Sequence, residues 1–166
     1  HPERVSGLVA VDSIVSGFRW SEEGRALDAA VWAAARDQSI EAGKAEWLKH
    51  PLIARGAADP ECGALVRQMI EEYSGWHFVN RSPQTGIEPR AIGRLGQITA
   101  PALVVVGEYD QPDFQAMADA LSEGIPGAKK VVMKGVGHLA NMEGREMFSE
   151  VVGKFLSEMG IEKGRN

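Results

Sequence analysis

Two short apolar runs constrain this chain more than anything else in it. Ala102-Leu103-Val104-Val105-Val106-Gly107 and Lys130-Val131-Val132-Met133 have the length and β-branched content of strands. Between them, Pro112 and Asp113 open a helix near 113–123, with proline at a position that tolerates it. A final amphipathic helix is expected over roughly 143–159, with Met147, Phe148, Val151, Val152, Phe155, Leu156 and Met159 at helical spacing. A strand–helix–strand–helix order calls for parallel strands joined by right-handed crossovers. Strands apolar on both faces fit a sheet covered by helices on both sides. A third strand is expected over residues 5–12, Val-Ser-Gly-Leu-Val-Ala-Val-Asp.

Residues 21–80 have a different character. Ser21, followed by Glu22, Glu23 and Gly24, reads as a helix entry. Amphipathic segments follow at roughly 24–43, 44–57 and 60–74, interrupted by Pro51 and by Asp59-Pro60. The four tryptophans, Trp20, Trp32, Trp47 and Trp76, lie in or beside this helical insert. They read first as packing residues, and some of them as the lining of an apolar pocket under a lid. Residues 80–101, with Ser82-Pro83, Gly86, Pro89, Gly93 and Gly96, read as loop, and the tail 162–166 as frayed. The expected organisation is core strand and lead-out over 1–19, helical cap over 20–90, and the rest of the core over 91–166.

Ligands of open parallel sheets bind where strands finish. Gly107-Glu108-Tyr109-Asp110 follows one strand, and Gly135-Val136-Gly137-His138 follows the next. An acid and a histidine therefore leave the same sheet edge on adjacent loops, 28 positions apart. A histidine, with an ordinary pKa of about 6.5, can take a proton from a nucleophile and return it to a leaving group. A carboxylate on its other ring nitrogen fixes the tautomer and stabilises the imidazolium. Asp12, at the end of the first strand, is an alternative acid; Asp110, on its glycine-flanked loop, is preferred.

Residues 103–114 and 135–143 (Gly-Val-Gly-His-Leu-Ala-Asn-Met-Glu) closely resemble the last two strand–loop units of α/β-hydrolases, and residues 2–13 resemble that family's sixth strand. The resemblance implies a partial α/β-hydrolase fold: the last three parallel strands of the sheet, flanking helices and a helical cap insert. It implies Asp110 as triad acid and His138 as triad base. It also implies substrate contacts from Trp47, Leu52, Trp76 and Leu139, since the cap pattern Trp47-Leu48 then Pro51-Leu52 is similar to that of enol-lactonases and carbon–carbon bond hydrolases. In the family the nucleophile precedes the acid. No Gly-x-Ser-x-Gly occurs here. The nearest match, Ala120-Leu121-Ser122-Glu123-Gly124, sits on an expected helix, and Cys62 follows no strand. The nucleophile and the rest of the fold are thus expected upstream of residue 1.

The expected activity is hydrolysis of an ester, lactone or related acyl bond of a small molecule. A non-catalytic ligand-binding relative, a haloalkane dehalogenase and a cofactor-free peroxidase are the alternatives on the same scaffold. The formal charge of −5 and the scattered basic residues argue against nucleic acid or an anionic membrane as partner. A single cysteine makes no internal disulfide, and no apolar run is long enough for a membrane span, so the expected compartment is the cytoplasm. His1, His50, His77 and His138 show no metal-ligand spacing and no phosphate loop is present, so no metal or cofactor is expected. An unpaired sheet edge leads to the expectation of self-association.

Overall fold

The computed structural model describes residues 1–80 and 86–160; Ser82-Pro83 and the tail 162–166 lie outside the described residues. Three strands form one parallel sheet in the order β1 (Leu8–Val11), β2 (Ala102–Gly107), β3 (Lys129–Met133). Leu8 pairs with Ala102 on one side of β2, and Leu103 with Lys129 on the other.

The central strand sets the layering. Successive strand residues point to opposite faces. Val104 and Val106 therefore pack under α6 (Pro112–Gly124), against Phe114, Met117 and Leu121. Leu103 and Val105 pack on the other face with Phe155 of α8 (Arg145–Glu158) and the flanking Phe148, Val151 and Val152. All six β2 residues are buried. Removing each of its large aliphatic side chains from water contributes about 1.5–3 kcal/mol.

Between β1 and β2 run α1 (Glu22–Asp37), α2 (Ile40–Trp47), α3 (Pro51–Ala58), α4 (Gly63–Glu72) and α5 (Trp76–Val79). Ser21 caps α1 as expected, its side chain accepting from the Gly24 N–H at 3.0 Å. The expected helix over 24–43 is two helices. Ser39 adopts an extended backbone and its hydroxyl accepts from the Ala42 N–H, starting α2. The expected segment 44–57 likewise divides, because Pro51 occupies the first turn of α3 and cannot donate to a preceding carbonyl. No helix among the described residues is long and apolar enough to cross a membrane.

Three further boundaries differ from the sequence reading. β1 starts at Leu8, since Pro2–Arg4 form a 3-10 turn before it. Ala91–Gln97, read as loop, is a 3-10 helix whose buried Leu95 joins the α6 core. The helix expected over 143–159 is α8 alone: Glu143 ends a separate short helix, α7 (Ala140–Glu143), and Gly144 lies between the two, where a Cβ would sit 2.8 Å from Met133 and Val136.

Gly107 is where the two loops of interest meet. A Cβ at this position would run into the carbonyl oxygens of Val136 and Gly137, both backbone atoms that cannot rotate away. Gly107→Ala is expected to cost about 1–3 kcal/mol of stability, by overpacking. A lower urea midpoint at unchanged m-value is the expected readout; an unchanged midpoint would contradict this close approach.

Candidate active site

The Asp110 loop leaves β2 and the His138 loop leaves β3, and hydrogen bonds knit them together. The Glu108 N–H donates to Met133 O at 2.9 Å and the Tyr109 N–H to Val136 O at 2.8 Å. The Gly135 N–H donates back to the Glu108 carboxylate at 2.9 Å. Gly135 itself has φ +74°, a left-handed conformation that suits glycine and turns the chain sharply after β3.

Within that frame His138 Nδ1 lies 2.9 Å from Asp110 Oδ2. The Asp110 side chain is fully buried and that of His138 is 19% exposed. An ionised carboxylate only accepts, so Nδ1 carries the proton and donates it to Asp110. In the neutral ring this leaves Nε2 with a free lone pair, the arrangement a general base requires. Phe114, at the start of α6, packs edge-on against the imidazole with centroids 4.4 Å apart. Beside His138, a cleft of about 380 Å³ is lined by Val11, Asp12, Leu139, Asn141 and Phe148.

Asp12 stands next to the pair. One ligand atom from each of Asp12, Asp110 and His138 falls within 4.8 Å of the others. The Asp12 backbone is left-handed at φ +41°, a conformation that aspartate tolerates better than most residues. Its Oδ1 accepts from the Gly107 N–H at 3.0 Å, while its buried Oδ2 has no partner among the described residues. Burial pushes the Asp12 carboxyl up to about 7, with the neighbouring Asp110 charge adding to the rise and the Gly107 N–H opposing it. Of the two carboxylates weighed from sequence, the one hydrogen-bonded to His138 is therefore Asp110.

Of the four expected substrate contacts, Leu139 lines the His138 cleft. Leu52 packs between the sheet core and the α3–α4 cluster; its neighbour Pro51, not Leu52, lines a second cleft that reaches Tyr109 and Asp110. The two tryptophans lie elsewhere. Trp47 packs its ring on His50 and Phe78, and Trp76, 43% exposed on α5, meets His77 edge-on. Neither lines a cleft beside Asp110 or His138. His50 and His77 are structural: His50 is buried 3.5 Å from Asp28, and His77 Nδ1 is 2.7 Å from the Tyr73 hydroxyl.

Neither candidate nucleophile in the chain is placed to react. Burial, then the adjacent Asp59, pushes the Cys62 thiol up to about 11, leaving almost no thiolate at neutral pH. Ser122 donates its hydroxyl proton to Asp119 O on α6, away from any strand end.

Three contacts were not anticipated. Asp113 is buried and accepts from the Ser21 N–H and hydroxyl, tying the start of α1 to α6. Glu143 and Arg55 reach the His138 loop from outside it. Glu143 was visible only as the fifth residue after His138, at the first position of the expected last helix, and nothing in the sequence joins Arg55 to it.

No family model matches the chain. A Bacillus subtilis (strain 168) protein, named provisionally as a 2-succinyl-6-hydroxy-2,4-cyclohexadiene-1-carboxylate synthase, is 26% identical over 165 residues. The match covers 96% of this chain and 60% of that protein. The structure of MenH from S. aureus superposes with a TM-score of 0.72 at 24% identity, covering 94% of this chain and 60% of that one. The structure of Est816, described as an N-acyl homoserine lactone degrading enzyme, superposes with a TM-score of 0.67 at 28% identity, covering 93% and 60%. The chain thus spans about 60% of the length of the proteins it matches. With its three parallel strands and flanking helices, it has the C-terminal part of the α/β-hydrolase fold.

The Asp12 carboxyl gives a pH test. Its folded-state pKa lies above the ordinary 3.8, so folding favours the protonated form. Below pH 4 the group is protonated whether folded or not and costs nothing. Between about pH 4 and 7 the unfolded chain releases the proton first, and stability falls as pH rises. Asp12→Asn keeps an acceptor for Gly107 and removes this penalty. The variant should gain on the parent by on the order of 1–2 kcal/mol from pH 4 to 7.5, after discounting for partial exposure. Denaturation curves with equal pH dependence would refute it.

Proposed function

We propose that the protein carrying this chain is a hydrolase that cleaves an ester, lactone or related acyl bond of a small molecule. The triad would be of the nucleophile–histidine–aspartate type, with the nucleophile contributed from outside these 166 residues. The observation that carries the reading is the 2.9 Å contact between the fully buried Asp110 carboxylate and the partly exposed His138 imidazole. Est816, whose structure is described by a lactone-degrading activity, supports the acyl-bond class.

The chemistry follows from the tautomer. His138 Nε2 takes the proton from the nucleophile as it attacks the acyl carbon, and the imidazolium is stabilised by Asp110 through Nδ1–H. His138 then gives that proton to the departing alcohol oxygen, whose bond to the acyl carbon breaks. In the second half, His138 deprotonates water as its oxygen attacks the acyl carbon, the bond between the acyl carbon and the nucleophile breaks, and His138 returns the proton to the departing nucleophile. The cleft of Asp12, Leu139, Asn141 and Phe148 lies beside the reacting nitrogen and receives the substrate there. The helices of residues 20–90 form the cap, and Leu27 and Pro51 belong to its portion lining the cleft beside Asp110. The donors that stabilise the tetrahedral oxyanion come, like the nucleophile, from outside this chain.

Asp110→Asn puts an amide donor opposite Nδ1 and favours the wrong tautomer. It and His138→Gln are each expected to lower kcat for an activated ester by about 10³–10⁴-fold in the protein bearing the nucleophile. Steady-state kinetics within tenfold of the parent would end this reading. The 166-residue chain alone is expected to hydrolyse no activated ester above background, and measurable turnover abolished by His138→Gln would show a nucleophile within it.

A further inference from the structure

Glu143 ends α7, outside both loops that carry the Asp110–His138 pair. Its side chain is only 3% exposed. Oε2 accepts from the Gly137 N–H at 2.8 Å and Oε1 from the Leu139 N–H at 3.1 Å. These are the residues immediately before and after His138, so one carboxylate grips the backbone on both sides of the imidazole. The break at Gly144 allows this grip, because it ends α7 where the side chain can fold back over its own loop.

A buried carboxylate needs a cation, and this one receives it from the helical segment. Arg55, on α3, places Nε 3.2 Å from Glu143 Oε2. The same guanidinium donates to Gly135 O at 2.5 Å and lies 4.4 Å over the ring of Tyr109, the residue before Asp110. It therefore touches both loops. The packing around it is close: a Cβ on Gly137 would sit 2.8 Å from Arg55 Cδ and about 3 Å from both Glu143 oxygens. A Cβ on Gly56 would sit 2.7 Å from Leu139 Cδ1. Helix α3 is thus seated directly on the loop that bears His138.

We propose that Glu143 is the positioning residue for His138 and that Arg55 anchors it to the helical segment, so that the seating of α3 sets the Asp110–His138 geometry. For its effect on rate this rests on His138 being the proton carrier. Its effect on the hydrogen bond does not.

The test uses the protein that carries this chain together with its nucleophile. Three quantities are read in Glu143→Gln and Arg55→Met: the downfield proton resonance of His138 Nδ1–H, and kcat and KM for an activated ester. A glutamine has one acceptor oxygen and no charge, so it cannot hold both N–H groups and Arg55 together. In both variants the resonance is expected to broaden or vanish. A loss of kcat of about 10–100-fold with KM within threefold is expected, the signature of misplacement rather than lost binding. Arg55→Lys should recover only part of the loss, because an ammonium cannot serve Glu143, Gly135 and Tyr109 at once. If Glu143→Gln fails to fold, Arg55→Met, at a side chain 46% exposed, carries the test. An intact resonance with unchanged kcat in the folded variants overturns the proposal. So does a rise in KM alone in Arg55→Met, which would make Arg55 a substrate contact. If Asp110→Asn and His138→Gln leave turnover unchanged, the hydrolase reading fails, and the resonance still decides this one.

Discussion

The burial of β2 on both faces is the constraint from which the rest of the structure follows. A strand with no solvent on either side must satisfy every backbone group laterally. Its neighbours β1 and β3 do so in fixed parallel registers. Parallel pairing in turn requires each strand to finish at the same edge. Asp12, Asp110 and His138 follow three different strands, yet they meet within 4.8 Å because the sheet gives their loops nowhere else to emerge. The chemistry of the site is thus a product of hydrophobic burial in residues that touch none of its atoms.

Much of this was legible in the chain, and the reason is periodicity. The apolar run 102–107 specifies a buried strand and its neighbour 130–133 a second strand, and the helices between and after them specify the crossover. Once strand direction is fixed, the loop residues that follow are fixed in space as well. The helical segment was less legible. Ser39 starts a new helix inside what reads as one continuous amphipathic pattern, because capping overrides a hydrophobic period. Trp47 and Trp76 show a further limit: an aromatic side chain declares that it will pack, without declaring against what. The contact of Arg55 with Glu143 lies beyond local pattern altogether, since it joins residues brought together only by tertiary folding.

The electrostatics around His138 are asymmetric in a useful way. Asp110 has the imidazole N–H as a partner and the Gln111 N–H as well, at 2.7 Å. Asp12 has a single N–H and an oxygen with no partner. Two carboxylates this close cannot both be charged without cost. Asp110 is the acceptor that orients the ring, while burial first, and the neighbouring Asp110 charge after it, raises the Asp12 carboxyl. Glu143, a third acid at the same edge, escapes this competition because its charge is answered by Arg55.

The absence of a side chain at Gly107 has an evolutionary consequence. Helices in this fold can lengthen, drift in composition or shift their boundaries while the sheet absorbs the change. Position 107 has no such latitude, because the obstacle is the main chain of the neighbouring loop, whose shape no compensating substitution can trim. A lineage that retains the meeting of these two loops loses stability with any side chain there, so glycine is favoured for as long as the contact is kept.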